Sequence, residues 1–240
     1  MGGQGLAIAG IVTGGLGTVM PVVPGILIAL LLPALSSVRE SARRSLSSAN
    51  MKQSSLGAMM YQEEHGRLPM AADDTEGPPV SWRVALAPYL EDPTAMAYDR
   101  GQPWDGPANR GLAERTPQIF ANPNLPTPGI TNYLVLVGDQ TAFPPDEPAT
   151  RLEAPSMTIL FVEADEDRAV AWSEPRDLDY NPDDPHRGLG NFRPGVFLAG
   201  FGDASVQTLS SDIDADLLRA LISRTAQDNR AAESHFFDIK

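Results

Sequence analysis

Hydrophobic and polar positions divide the chain into stretches of different character. From Leu6 to Leu35 the residues are almost continuously apolar, broken by glycines and prolines, and no charged side chain occurs before Arg39. Ile26, Leu27, Ile28, Leu30, Leu31 and Leu32 would ring a helix on every side, whereas a helix buried in a soluble core keeps a polar face. The run exceeds the roughly 20 residues needed to span a bilayer, so it predicts a membrane-anchoring segment over residues 1–35. Pro21 and Pro24 either kink that span or divide a glycine-rich half (Gly5–Gly17) from a second apolar helix beginning near Gly25.

Behind this run the apolar positions thin to helical spacing. Val38, Ala42, Leu46, Ala49, Leu56 and Met60 recur among Arg, Ser, Asn and Gln, which predicts an amphipathic continuation to about Glu64. Gly66 and Pro69 stop it. An acidic loop follows from Met70 to Pro79, then a short helix over Trp82–Leu90. Residues 102–128 are dense in Pro, Gly and Asn and read as irregular, with a helical turn near Ala108–Glu114. The runs Asn132–Val137 and Thr158–Val162 read as strands. Ala169–Trp172 is expected to pair with the second of these across a turn at Asp165–Asp167. Val196–Phe201 and Ser205–Leu209 flank a hairpin turn at Gly202-Asp203-Ala204. A last amphipathic helix over Asp214–Ala226 carries Leu217, Leu218, Leu221 and Ile222 on one face. One long helix followed by antiparallel strands makes the fold class α+β, with residues 36–240 as a single globular domain.

Composition narrows the function. The 240 residues are 42% hydrophobic and 20% charged, enough for one real core. The 21 glycines and 22 prolines favour turns over a helical bundle. A formal charge of -13 without a local basic face argues against nucleic acid as a partner and towards divalent cations or basic partners. The absence of cysteine excludes disulfides, thiolate nucleophiles and cysteine metal sites.

Four groups of residues could carry chemistry. Asp177, Asp179, Asp183 and Asp184 crowd a loop with Asn181 and the backbone of Tyr180. Hard oxygen ligands at such spacing suit calcium, although the spacing is not that of an EF-hand; a solvated acidic loop is the plainer account. The sequence Glu163-Ala164-Asp165-Glu166-Asp167 could hold a metal or do acid/base work, or could be a strand-connecting turn kept soluble by charge. His65, His186 and His235 come without a Gly-x-Ser-x-Gly elbow or a His-Glu-x-x-His pair, which argues against a hydrolase. Trp82, Trp104 and Trp172 could line a groove or fill the core.

Gly25–Arg44 (GILIALLLPALSSVRESARR) runs on into Asn50-Met51-Lys52-Gln53, Tyr61 and Gly66-Arg67-Leu68-Pro69. Then come Ser81-Trp82-Arg83, Pro88-Tyr89-Leu90-Glu91, Pro103-Trp104-Asp105, Thr131-Asn132-Tyr133, Trp172-Ser173-Glu174-Pro175, Asp177-Leu178-Asp179-Tyr180 and Gly202-Asp203-Ala204-Ser205-Val206. This ordered set, over residues 25–226, resembles the pseudopilin-like, prepilin-type processing-associated family of planctomycetes. That family is catalogued as a domain of unknown function and also as a bacterial solute-binding family. In its His-x9-Asp-Gly pattern, Arg193 stands in the place of His and Ala204 in that of Gly.

The resemblance implies a pilin-like fold, with a long N-terminal spine helix to about residue 65 packed on a small antiparallel sheet. It implies a membrane-anchored structural or secretion-associated protein without catalysis, whose partners are membrane lipid and copies of itself or other pilin-like subunits. The alternative it implies is a membrane-anchored extracytoplasmic solute-binding module. No cofactor is expected; calcium is the alternative that the resemblance raises, because related secretion pseudopilins hold it in a sheet-side loop. An extracytoplasmic head is expected, while Arg39, Arg43 and Arg44 behind the apolar run pull towards the cytoplasm.

Overall fold

In the computed structural model, residues 22–73, 77–149 and 152–225 are described, with side chains from Leu35 onwards. The chain divides into two units, Met1–Ser45 and Leu46–Lys240. Helix α1 spans Val22–His65. The apolar run at Leu6–Leu35 therefore lies largely outside the described residues: 1–21 altogether, and the side chains of 22–34. Among the described residues no helix is long and apolar enough to cross a membrane. In the first unit, no side chain from Leu35 to Ser45 is buried.

The second unit begins within α1 and continues through short elements. These are β1 (Ala72–Asp73), β2 (Val80–Ser81), α2 (Trp82–Ala85), α3 (Ala87–Leu90), α4 (Pro93–Met96), α5 (Arg110–Ala113), β3 (Ile130–Thr131), β4 (Tyr133–Leu134) and β5 (Leu136–Val137). Then follow β6 (Ile159–Glu163), β7 (Val170–Ala171), β8 (Leu178–Asp179), β9 (Val196–Phe201), β10 (Val206–Ser210) and α6 (Ala215–Ile222). The central sheet is antiparallel in the order β10-β9-β6-β4. Three two-stranded pairs surround it: β1-β2, β3-β7 and the parallel β5-β8. The architecture is α+β, a long helix packed against small and mostly antiparallel sheets.

The sheet carries a core on each face. Side chains of a strand point alternately to opposite faces, and in β9 Phe197, Ala199 and Phe201 join Leu218, Leu221 and Ile222 of α6. Leu198 belongs to the other core, with Met51, Ala58 and Tyr61 of α1. An irregular register between Ile159 and Phe161 in β6 lets Leu160 and Phe161 both enter the α1-side core. Within it, Trp82 meets Phe161 at 4.6 Å and Phe120 edge-on at 5.6 Å. Trp82 and Trp172 are fully buried, so two of the three tryptophans are core residues; Trp104 is half-buried.

Both faces of α1 carry apolar residues. An amphipathic helix ordinarily buries its apolar stripe, yet Leu46, Ala49, Leu56 and Met60 are exposed, as is Met59. The buried face is Ser47, Asn50, Met51, Ser54, Ser55, Ala58 and Tyr61. Small polar residues let the helix approach the sheet closely. A Cβ at Gly200 of β9 would stand 3.1 Å from Ser55 Oγ and 3.7 Å from Met51 Cε. The polar atoms are matched by distant chain: Asn50 Nδ2 donates to the carbonyls of Gln118 and Ala121, both at 3.1 Å.

Other sequence expectations are sharpened or corrected. The Trp82–Leu90 helix is two single turns separated at Leu86, the first capped by Ser81 Oγ, which accepts from Arg83 N. The turn near Ala108–Glu114 is α5. The Asn132–Val137 run is two strands with different partners, β4 on β6 and β5 on β8. Ala169–Trp172 does not pair with β6. Its β7 pairs with β3, because a 3-10 turn at Glu166–Arg168 and the anchoring of Asp165, described below, lead the chain away. The β9–β10 hairpin turns at Gly202–Ala204 as expected, with Ala204 at φ 63, a conformation that favours glycine. Helix α6 is capped by Asp214, whose carboxylate accepts from Asp216 N and Leu217 N; it ends at Ile222, short of Ala226.

Candidate functional site

Two buried ion pairs and one cleft concentrate the chemistry of the second unit. The first pair joins Arg83 of α2 to Asp177, the residue before β8. Arg83 Nη2 stands 2.7 Å from Asp177 Oδ1, and both side chains are essentially inaccessible. Oδ1 also accepts from Trp82 Nε1 at 3.1 Å and from the backbone N of Val135 at 3.0 Å. The carboxylate thus takes the N–H that lies between β4 and β5, which is why the apolar run over 132–137 divides there. Arg83 spends its other donors on the Tyr133 carbonyl and on Ser81 Oγ. Asp177 Oδ2 is buried without a hydrogen-bond partner. Burial pushes the Asp177 carboxyl up against the opposing pull of Arg83, and pushes the Arg83 guanidinium down against that of Asp177.

The second pair joins Glu163, at the end of β6, to Arg193. Arg193 Nη2 donates to Glu163 Oε1 at 2.9 Å while Nε donates to Oε2. Arg193 Nη2 also donates to Ser47 Oγ of α1 at 3.1 Å, and Asn122 Nδ2 donates to Glu163 Oε1 at 2.7 Å. Asn122 reaches Asn132 Oδ1, whose own amide donates to the Ala164 carbonyl at 2.7 Å. One buried network therefore ties α1, β6 and the loop before β9. Burial raises the Tyr133 hydroxyl well above the usual tyrosine range beside it.

The acidic run at Glu163–Asp167 is accordingly not a solvated turn throughout. Glu163 is buried on the sheet, and Asp165 is buried and organises the loop before β9. Its carboxylate accepts from Asn191 N at 2.7 Å, Asn191 Nδ2 at 2.9 Å and Phe192 N at 3.1 Å. Only Glu166 and Asp167 are exposed.

Of the expected cation ligands, Asp177 is turned inward against Arg83, whereas Asp179, Asp183 and Asp184 are exposed. Among the described residues no three His, Asp or Glu side chains are grouped to hold a metal ion. His65 ends α1, its ring stacked on Tyr61 with centroids 4.1 Å apart. His186 Nε2 lies 2.8 Å from the Ile213 carbonyl. His235 lies outside the described residues.

The cleft opens where β1, β5, β7 and β8 converge. It encloses about 410 Å³, and its wall sets Val137, Val170 and Leu178 beside three arginines, Arg168, Arg176 and Arg187, and three aspartates, Asp167, Asp177 and Asp179. Arg176 is held by Glu174 at 2.8 Å. Arg168 forms an ion pair with Asp167, Nε to Oδ2 at 3.5 Å, and its Nε is buried without a hydrogen-bond partner.

Sequence reasoning did not single out Arg83, Arg193 or Glu163 as paired groups. The available signals were a charge inside the apolar WRVALAPYL run and another ending the apolar ILFV strand. Their partners lie 94 and 30 residues away, beyond the reach of any local pattern.

A family model described as protein of unknown function (DUF1559), SBP_bac_10, matches residues 36–176. The match covers more than half of the chain, and the chain belongs to this family. No curated protein and no solved structure matches it.

Proposed function

We propose that this DUF1559 protein is a membrane-tethered, pilin-like structural subunit that acts by presenting and assembling its head rather than by catalysis. The observation that carries the reading is the sidedness of α1. Its face of Ser47, Asn50, Met51, Ser54, Ser55, Ala58 and Tyr61 packs on the sheet while Leu46, Ala49, Leu56 and Met60 face outward. Exposed apolar residues on one helical stripe mark a surface that is covered in the working state. Copies of the same chain, or related pilin-like subunits, held in one membrane plane by residues 6–35, supply that cover. Tethering raises their effective concentration, so a short stripe suffices. The apolar composition of residues 6–35 supports the tether, and an extracytoplasmic head accords with the pseudopilin resemblance.

Alkaline carbonate extraction of membranes from cells making the full chain tests the tether. The parent stays in the membrane pellet, and an Ile28→Arg, Leu31→Arg variant moves to the supernatant. A parent that is extracted as readily as that variant would refute the reading. A second reading, a tethered solute-binding module, is favoured by the cleft beside β8, whose wall mixes arginines and aspartates with aliphatic side chains.

A further inference from the structure

The two edges of the central sheet, β4 and β10, are treated differently. Ala164 N donates to the Asn132 carbonyl at 2.9 Å, so by the alternation of an antiparallel ladder the backbone groups of Tyr133 and the N–H of Val135 face away from β6. Side chains take all of them. Tyr133 N donates to Thr131 Oγ1 at 3.1 Å, the Tyr133 carbonyl accepts from Arg83 Nη2 at 3.0 Å, and Val135 N donates to Asp177 Oδ1 at 3.0 Å. The β10 edge has no such cover among the described residues. Phe201 N donates to the Ser205 carbonyl and Ser211 N to the Gly195 carbonyl, both at 2.9 Å, and these bonds bracket the β9–β10 ladder. Gln207 and Leu209, in phase with Ser205 and Ser211, therefore spend their backbone groups on β9, and those of Val206 and Thr208 point off the sheet. Strand β10 keeps one register from Val206 to Ser210. Its sequence VQTLS holds neither a charge nor a proline, two of the devices that ordinarily blunt an edge, and Thr208 is exposed.

We propose that the β10 edge binds an extended segment of a basic partner protein, which adds to the central sheet as a further strand beside β10. The N–H and C=O groups of Val206 and Thr208 supply the ladder, and strand addition of this kind draws its affinity from main-chain hydrogen bonds. Charge selects the partner. Asp203 stands in the turn before β10 and Asp212 just beyond its end, both exposed, in a chain of formal charge -13. A segment lying along β10 is therefore favoured when Lys or Arg flanks its uncharged middle. A second copy of this chain is disfavoured at the same edge. Antiparallel pairing of two β10 strands about Thr208 would set Asp203 of one copy beside Asp212 of the other, and like charges across a ladder repel. The proposal uses none of the residues of the α1 stripe and does not depend on the assembly reading.

Residue-resolved hydrogen exchange of the full chain in mild detergent, with and without the synthetic peptide acetyl-Lys-Val-Thr-Val-Thr-Lys-amide, provides the test. In the free protein the amides of Val206 and Thr208 should exchange at least about tenfold faster than those of Gln207 and Leu209, and saturating peptide should slow them at least about tenfold. The peptide should bind saturably below about 1 mM. The same peptide with Glu in place of Lys, or N-methylated at alternate residues so that it cannot join a ladder, should bind at least about tenfold more weakly. Thr208→Pro removes an N–H that makes no bond to β9, so it should abolish binding while leaving the melting temperature within about 3 °C. The pair Asp203→Asn, Asp212→Asn leaves the backbone of β10 untouched, keeps the oxygen that accepts from Ser205 N, and should weaken binding about fivefold. Slow exchange at Val206 and Thr208 without peptide would mean that this chain or a second copy already fills the edge, and would overturn the proposal. Absence of saturable binding, equal affinity for the Glu-flanked or N-methylated peptide, or full affinity in the aspartate double variant would overturn it as well.

Discussion

Replacing Arg193 by methionine tests the buried network most sharply. The Arg193 and Glu163 side chains are 2% and 0% exposed, so neither charge is relieved by water. The substitution keeps much of the aliphatic stem and removes both guanidinium bonds to Glu163, along with the bond to Ser47 Oγ. Glu163 is left with the single Asn122 amide at 2.7 Å. Stranding one charge of a buried pair costs about 3–5 kcal/mol, whereas removing both charges with volume kept is close to neutral. Arg193→Met alone should therefore lower the unfolding free energy by about 3–5 kcal/mol, and the double variant Glu163→Gln, Arg193→Met by about 1–2 kcal/mol. Urea unfolding of the full chain in mild detergent, followed by the fluorescence of the buried Trp82 and Trp172, measures both quantities. A single variant within 1 kcal/mol of the parent, or a double variant as unstable as the single, would refute the reasoning.

Three further outcomes follow from the same geometry. Ala204→Gly relieves the left-handed backbone at φ 63 and should stabilise the hairpin by about 0.5–1 kcal/mol after the glycine's entropy is counted, read as a higher urea midpoint. Gly200→Ala pushes a methyl towards Ser55 and Met51 and should cost about 1–3 kcal/mol. Burial raises the Tyr98 hydroxyl from 10.0 to about 12. Between these two values the unfolded chain gives up a proton that the native one keeps, so stability falls as pH rises through that window. Tyr98→Phe should flatten that part of the pH profile.

What the sequence could and could not disclose follows from distance along the chain. The length of α1, the β9–β10 hairpin and the α6 helix are local patterns, and they were legible. Which face of α1 meets the sheet was not. Periodicity reveals a stripe, but the stripe of Ser47, Asn50, Met51, Ser54 and Ala58 wins the interface because Arg193, Gln118 and Ala121 satisfy Ser47 and Asn50 and Gly200 gives room. The run NYLVLV looked like one strand because nothing near it hints that Asp177, 42 residues on, captures the N–H of Val135. The same capture takes Asp177 away from the acidic loop in which it was grouped with Asp179, Asp183 and Asp184. Calcium titration should accordingly leave the melting temperature unchanged in both the parent and an Asp179→Ala variant.

The central claim is that the exposed apolar stripe of α1, with Leu46, Leu56 and Met60, meets another subunit. The chain has no cysteine of its own, so single cysteines at Ser54, Leu56 and Met60 can be probed by maleimide labelling. In detergent-dispersed monomers the cysteines at 56 and 60 should label rapidly and that at 54 slowly. In intact membranes those at 56 and 60 should become protected and cross-link to neighbouring copies on oxidation. Cysteines at 56 and 60 that label equally fast in both states, or a cysteine at 54 that labels as fast as they do in the monomer, would contradict the account.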